Sequence, residues 1–335
     1  MSNKGIGKIF SGMKISTKII LSNIFFLIPM GIMLFISLNG INYDIRFSSL
    51  ELYGNEYQRP LESLLNYTQD YQRFLLEEDK SKELSDLAKK IDSAFNELDK
   101  AQENRGEDLQ FTTEGLEIRG REHLMPNLVR GRWADAKSSG NNDDFISLIA
   151  DIREMITHSG DTSNLILDPD LDSYYLMDLS LLALPQTQDR LGEILIFGKD
   201  AFKRAASSSN GNLSDSDKLK FYVYAKMLEE SDYSRIKGST ETAVNEDQNF
   251  YGLYQPMQST IPASFDDYEN LTLAFISMLY DLGSSSTLNY SLDEFIELGQ
   301  DTRSQSFVYW NDVVDILDDL LNIRIGNYKQ TFYRY

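Results

Sequence analysis

Arginine suits carboxylate recognition because its planar fork donates two parallel hydrogen bonds. Four arginines occur close together, in Arg119-Gly-Arg121 and Arg130-Gly-Arg132, with Trp133 beside them. Arg119 and Arg130 are eleven residues apart, as are Arg121 and Arg132, so an uninterrupted helix would bring each pair onto one face, three turns apart. Pro126 lies between the pairs and disturbs that alignment. The functional reading is an anion site; the alternative is a solvated face whose arginines pair with neighbouring acids. Arg59, Arg73, Arg153 and Arg190 are further candidates because they fall on helices that must face other helices.

Other chemistry is poorly served. Neither histidine, His123 or His158, has a Glu three residues before it, which removes the Glu-x-x-His signature of di-iron bundles, and zinc-protease spacing is absent. Gly192 to Gly198-Lys199 imitates a phosphate loop, but five residues intervene instead of four and Asp200 stands where Ser or Thr is required. Asp168, Asp170 and Asp172 have the alternation that opens a calcium loop, yet Ser173 occupies the glycine position and Leu179 the bidentate glutamate position. The chain has no cysteine, so disulfides, thiolate metal sites and a cysteine nucleophile are excluded. No catalytic residue, metal or cofactor is expected, and the protein is not expected to be an enzyme.

The aspartates fit a structural role better. Asp168 can cap a helix, Pro169 fits a first helical position, and Asp170 and Asp172 complement the positive helix end. The preceding helix should stop near Leu167, because residues before proline avoid the α region. Beyond the junction, Leu171, Tyr175, Leu179 and Leu182 form one helical stripe, and Tyr174, Met177, Leu181 and Leu184 form another beside it. So wide an apolar face belongs to a helix packed in a bundle.

From Ile19 to Ile41 there are 23 residues without a formal charge, long enough to cross a hydrocarbon layer of about 30 Å at about 1.5 Å per residue. A cleaved signal peptide is the competing interpretation, but its apolar core is shorter and ends in small residues. Residues 1–18 carry Lys4, Lys8, Lys14 and Lys18, and Asp44 follows the span. The positive-inside rule therefore places the N-terminus in the cytoplasm and the remainder, 44–335, outside. Beyond residue 40 the chain holds 28 basic and 52 acidic residues, which argues against nucleic acid as a partner.

Helical periodicity dominates the rest. Tyr57, Leu61, Leu64, Tyr71 and Leu75 continue a long helix from the membrane, with a bend possible at Pro60. Leu84 to Leu98 repeats the pattern, 107–136 reads as kinked or as two short helices, and Ser138 to Asp143 is a turn. A bend is also possible at Pro185, Ser207 to Asn212 is a turn, and Ser214 or Asp215 can cap the next helix. Asp247 to Pro262 reads as a loop, and the last helix starts near Ser291, with near-heptad spacing in its second half. No alternation of period two occurs, so the fold expected is all-α, a transmembrane helix followed by an elongated helical bundle.

Four segments carry a family resemblance: Met13-Lys-Ile-Ser-Thr-Lys-Ile-Ile20; Gln58-Arg-Pro-Leu-Glu-Ser-Leu-Leu65; Ser163-Asn-Leu-Ile-Leu-Asp-Pro-Asp-Leu-Asp-Ser-Tyr-Tyr-Leu-Met-Asp178 followed by Leu184-Pro185; and Phe295 to Arg324 with Leu317-Asp-Asp-Leu-Leu-Asn-Ile-Arg324. Together they resemble the periplasmic sensory region of bacterial methyl-accepting chemotaxis proteins and of related membrane-bound sensor histidine kinases. Where many relatives have His-Arg-Gly this chain has Asp70-Tyr-Gln-Arg73, so only Arg73 carries over.

The resemblance implies a sensory region of two stacked helical modules, of the helical bimodular type, some of whose members bind small organic acids. It further implies an inner-membrane protein that forms a homodimer through its first and last helices and binds a small molecule; of the candidate ligand-binding residues Arg73, Arg119, Arg121, Arg130 and Arg132, Arg73 falls on the family pattern and the other four come from the local basic concentration. In the family a second span, a linker and a cytoplasmic signalling domain follow. Input to a kinase, or an anchored binding protein without output, are the other expectations.

Overall fold

The computed structural model describes residues 13–75, 77, 80–209 and 211–334; the basic lead before Met13 lies outside them. Among the described residues all regular structure is helical. The residues divide into two compact units, one formed by the chain up to Ser48 together with that from Arg324, the other by Ser49–Ile323.

Helix α1, Ile15–Leu75, is a single helix of 61 residues. The long helix expected to rise directly from the membrane is therefore one element with the apolar span, and Pro29 and Pro60 both lie within it. Nothing between residues 42 and 52 breaks a helix, since that stretch contains neither Gly nor Pro. In the first unit, α1 is long and apolar enough to cross a membrane, with Phe25, Phe26, Met33 and Phe35 exposed along it.

In the second unit, α2 (Ser81–Arg105) buries Leu87, Ile91, Phe95 and Leu98 on one stripe. The expected short helices follow: α3 (Thr113–Glu117), capped by Thr112, and α4 (Pro126–Ser139), which starts on its proline. Gly140 ends α4 in the left-handed region at φ 62°, where a side chain would be strained. Asn141 then caps α5 (Asn142–Thr162).

The Asp-Pro-Asp junction differs from the sequence reading. α5 stops at Thr162, Asn164 adopts φ 70°, and a 3-10 turn covers Leu165–Leu167. The next helix, α6, begins at Leu171 and ends at Met177, because Asp170 is still extended. Pro169 thus precedes the helix, and Asp168 works as a turn residue: one carboxylate oxygen accepts from the Asp170 amide (3.0 Å) and from the Ser173 hydroxyl (2.8 Å). Leu171 and Tyr174 are exposed, and the apolar face becomes continuous only from Leu176.

Two wide π turns interrupt the helices beyond. The first, Asp178–Ala183, leads into α7 (Leu184–Ala206), and the second, Met227–Tyr233, joins α8 (Asp215–Lys226) to α9 (Ser234–Glu246). Pro185 has no amide hydrogen to donate and its ring needs room beside Leu181, which the first π turn provides. Ser214 caps α8 as expected, accepting from the Asp217 amide.

α10 (Gln255–Ser284) starts inside the expected Asp247–Pro262 loop and carries Pro262 in its interior. Met257, Ile261 and Phe265 are all buried at four-residue spacing, so packing outweighs the proline penalty. α11 (Leu292–Arg334) is the last helix among the described residues.

The buried apolar residues form two separate cores. The larger draws on α1, α2, α4, α5, α9, part of α10 and the Tyr309–Leu321 stretch of α11. The smaller joins Leu191–Ala205 of α7, Phe221–Leu228, Phe275–Leu282 and Phe295. Gly54 and Gly198 permit close approaches: a methyl group would collide with Ser163 at the first and with the Phe295 ring at the second.

Candidate ligand cleft and buried polar layer

Three helices and the second π turn pass from one core to the other, and each does so across polar residues. Thr187 and Gln188 lie between Leu184 and Leu191, Asp232 between Leu228 and Ile236, Thr272 between Tyr268 and Phe275, and Thr302, Arg303 and Ser306 between Phe295 and Tyr309. All seven polar residues are buried. Such groups are costly without partners, so the bonds they make define the site.

Arg303, 1% exposed, is the centre of this layer. From α11 it reaches α1, donating to the Asn66 backbone carbonyl (2.9 Å), to the Gln69 side-chain Oε1 through Nε and Nη2 (3.1 and 2.8 Å) and to Asp70 (3.0 Å). Burial lowers its pKa and Asp70 opposes that shift; guanidinium nevertheless keeps its proton. The layer continues through Arg73 and Lys199, both buried, which share Glu77 at 3.2 and 3.5 Å. Arg73 Nε has no hydrogen-bond partner among the described residues. Burial lowers the Lys199 pKa, with Glu77 acting against it.

Glu62 is the opposite case. Burial pushes its carboxyl up to about 8, while Gln188 and Arg303 pull it down. Among the described residues no hydrogen bond of ordinary geometry reaches either oxygen, so the acid is held protonated at neutral pH. Asp232, on the second π turn, accepts from Arg190 of α7 at 2.5 Å; burial raises it to about 6 against the pull of Arg190. The first π turn mirrors it, with Asp178 accepting from Arg235 (2.5 Å) and Ser239 (2.8 Å) of α9.

Beside this layer is an open cleft of about 640 Å³ among α1, α5, α7 and α8. Gln69 belongs to both: its oxygen accepts from Arg303, and its amide nitrogen donates to Asp189 (2.9 Å) in the cleft wall. Asp189 also accepts from Arg153 (2.5 Å), and Gln72 donates to Asn142 (2.8 Å). Gly192 faces the Gln69 amide, which an added methyl group would meet at 3.0 Å. Farther along the wall are Glu193, Phe197 and Asp200 of α7, with Lys220 and Tyr224 of α8.

The arginines singled out in sequence do not converge. Arg119 donates to Gln110 (2.7 Å) and the Gly115 carbonyl, Arg121 to Asp161 (2.7 Å) with Glu154 at 3.3 Å, Arg130 to Asp99 and Asn96 (both 2.7 Å), and Arg132 to Asp151 and the His123 carbonyl. Arg119 and Arg121 flank Gly120, a turn residue at φ 64°, and precede α4, so the eleven-residue spacing never acts along one helix. His158, beside Arg121, is buried against the Phe111 ring; burial and then the Arg121 charge push its pKa down to about 4. Among the arginines proposed from sequence, Arg73 and Arg190 reach the polar layer and Arg153 the cleft wall, whereas Arg59 pairs with Asp315 and Asp318 of α11.

Arg303 and Gln69 are absent from the sequence candidates. A signal existed: Arg303 is seven residues before Trp310, itself seven before Leu317, so it occupies a core position of the near-heptad repeat. Searches with this sequence find no matching family model, no matching curated protein and no matching solved structure.

Proposed function

We propose that the chain is the ligand-sensing region of a bacterial transmembrane chemoreceptor, anchored in the inner membrane by α1 with its N-terminus in the cytoplasm, and acting as a homodimer. The observation that carries this reading is the Arg303 clasp. One side chain of α11 holds three acceptors of α1, and Gln69 connects that clasp to an open cleft. α1 and α11 are also the two long helices that contribute residues to both units.

A small polar ligand that binds Asp189, Arg153 or Gln69 alters the partners left for Arg303. Helices packed in a core have discrete arrangements, and shifts of about 1–2 Å between them carry many switches. The ligand biases α1 against α11 only as far as its affinity differs between the two arrangements. The two cores on either side of the polar layer fit the bimodular form of the resemblance, with the layer as the seam between modules.

The absence of cysteine in the chain makes a direct test simple. Spin labels are attached at Ser63→Cys and Ser304→Cys in the full chain, in lipid nanodiscs, and their separation is measured with organic acids, amino acids and amines that raise the melting temperature. A ligand-dependent change that disappears in Arg303→Met supports the reading. A ligand that binds in the cleft and leaves the separation unchanged overturns it.

A further inference from the structure

The cleft's charges are unequally matched. Asp189 and Arg153 neutralise each other at 2.5 Å. Glu193 and Asp200 have no hydrogen-bond or ion-pair partner among the described residues, and Lys220 has no acid partner there. Glu193, Phe197 and Asp200 follow one another at four and three residues on α7, so the two carboxylates and the ring between them share a helix face. Tyr224 of α8 adds a second ring.

Lys220 already shows what this end of the cleft accepts. Its ammonium lies 4.6 Å from the centre of the Phe197 ring and 5.5 Å from that of Tyr224, within the range at which a ring face attracts a cation. Glu193 is exposed, but the cleft wall packed beside its carboxyl and then the Asp189 charge raise its pKa, and the Lys220 charge acts against them. Two ring faces and an unpaired carboxylate suit a primary ammonium, which brings both charge and N–H donors. They suit a carboxylate poorly, because the unmatched charge is negative.

We propose that the Phe197–Tyr224 end of the cleft is a seat for the primary ammonium of a small amine or amino acid, with Glu193 as its counter-charge and Lys220 as a tethered occupant that the ligand displaces. The apolar body of the ligand lies against Ile146, Ile149 and Ile196, which line the same cleft. A tethered group competes at an effective concentration of roughly millimolar. Removing Lys220 therefore tightens binding. For an amino acid, the displaced Lys220 ammonium also becomes available to its carboxylate.

This inference rests on the sensory reading for the choice of site, but its test is separate. The full chain in nanodiscs is titrated with n-butylamine, norvaline, 1-butanol and butyrate, which share a short alkyl body and differ in head group. Butylamine and norvaline are expected to bind and to raise the melting temperature, and butanol and butyrate are not. Lys220→Met is expected to tighten butylamine by about five-fold or more, and Glu193→Gln to weaken both ammonium compounds by about ten-fold. Norvaline tighter than butylamine identifies an amino-acid seat; the reverse identifies a simple amine seat.

The proposal falls if butyrate binds as tightly as butylamine, or if Lys220→Met leaves the affinity unchanged or lowers it. Urea midpoints of both variants, at exposed positions, confirm that the fold is intact. If butylamine binds while the Ser63–Ser304 label separation stays constant, the seat stands and the sensory reading fails. If only a carboxylate binds and moves the labels, the sensory reading stands and the seat fails. If none of the head groups binds, the seat falls.

Discussion

Glu62 and His158 are both buried ionisable groups, and they make stability depend on pH in opposite senses. The Glu62 carboxyl is raised to about 8 by burial, so the folded state holds a proton that the unfolded chain releases. Its contribution is free of penalty below the ordinary carboxyl range and is lost as pH rises through about 8. Glu62→Gln should therefore stabilise the unit Ser49–Ile323 at pH 9, by on the order of a few kcal/mol, and give almost no gain at pH 4. His158 is pushed down to about 4, so its neutral form stabilises above the ordinary histidine value and that stability is lost as pH falls from about 6.5 to 4. His158→Phe should flatten that acid limb. Trp133 and Trp310 are both buried in this unit and report unfolding by fluorescence in each experiment. Arg303→Met should cost about 3–5 kcal/mol, because it leaves the Gln69 oxygen without its donor and Asp70 with only Gln300 at 3.3 Å and Arg73 at 3.7 Å. A loss under 1 kcal/mol would show that the clasp is not held in solution.

At the level of elements, close helix approaches depend on particular glycines. Gly198→Ala pushes a methyl group into the Phe295 ring and should cost about 1–3 kcal/mol. Gly131, in α4, has open space around its Cβ position, so Gly131→Ala should instead stabilise by about 0.5–1 kcal/mol. Paired urea melts decide both, and a destabilised Gly131→Ala would contradict the packing of α4. Periodicity and capping residues made α2, α4, α5, α8 and α11 legible in sequence, as Ser214 and Asn141 illustrate. Two features were not. The π turns add a residue without any compositional mark, and Pro262 sits inside a helix that tertiary packing sustains. The candidate site was less legible still, since Arg121, Arg130 and Arg132 pair with acids and Arg119 bonds Gln110 and the Gly115 carbonyl, while the buried Arg303 stands alone in sequence, visible only through its heptad position.

For the whole molecule, the exposed apolar stretch of α1 is the feature that water penalises most, at about 25 cal/mol per Å² of apolar surface. Ile28, 56% exposed, lies within it. Ile28→Arg should reduce the fraction of the chain that remains with lipid vesicles after alkaline washing, since a central arginine costs about 2.5–3.5 kcal/mol on insertion. Unchanged retention would remove the membrane role from this helix. The Gln69 amide has a further consequence, one of direction. It accepts on one side, from Arg303, and donates on the other, to Asp189, and these roles cannot be exchanged without setting donor against donor and acceptor against acceptor. The side chain therefore works as a one-way connector with two readable positions. Gln69→Glu keeps the link to Arg303 and cuts that to Asp189, whereas Gln69→Leu cuts both, so this one position can separate hearing the ligand from answering it.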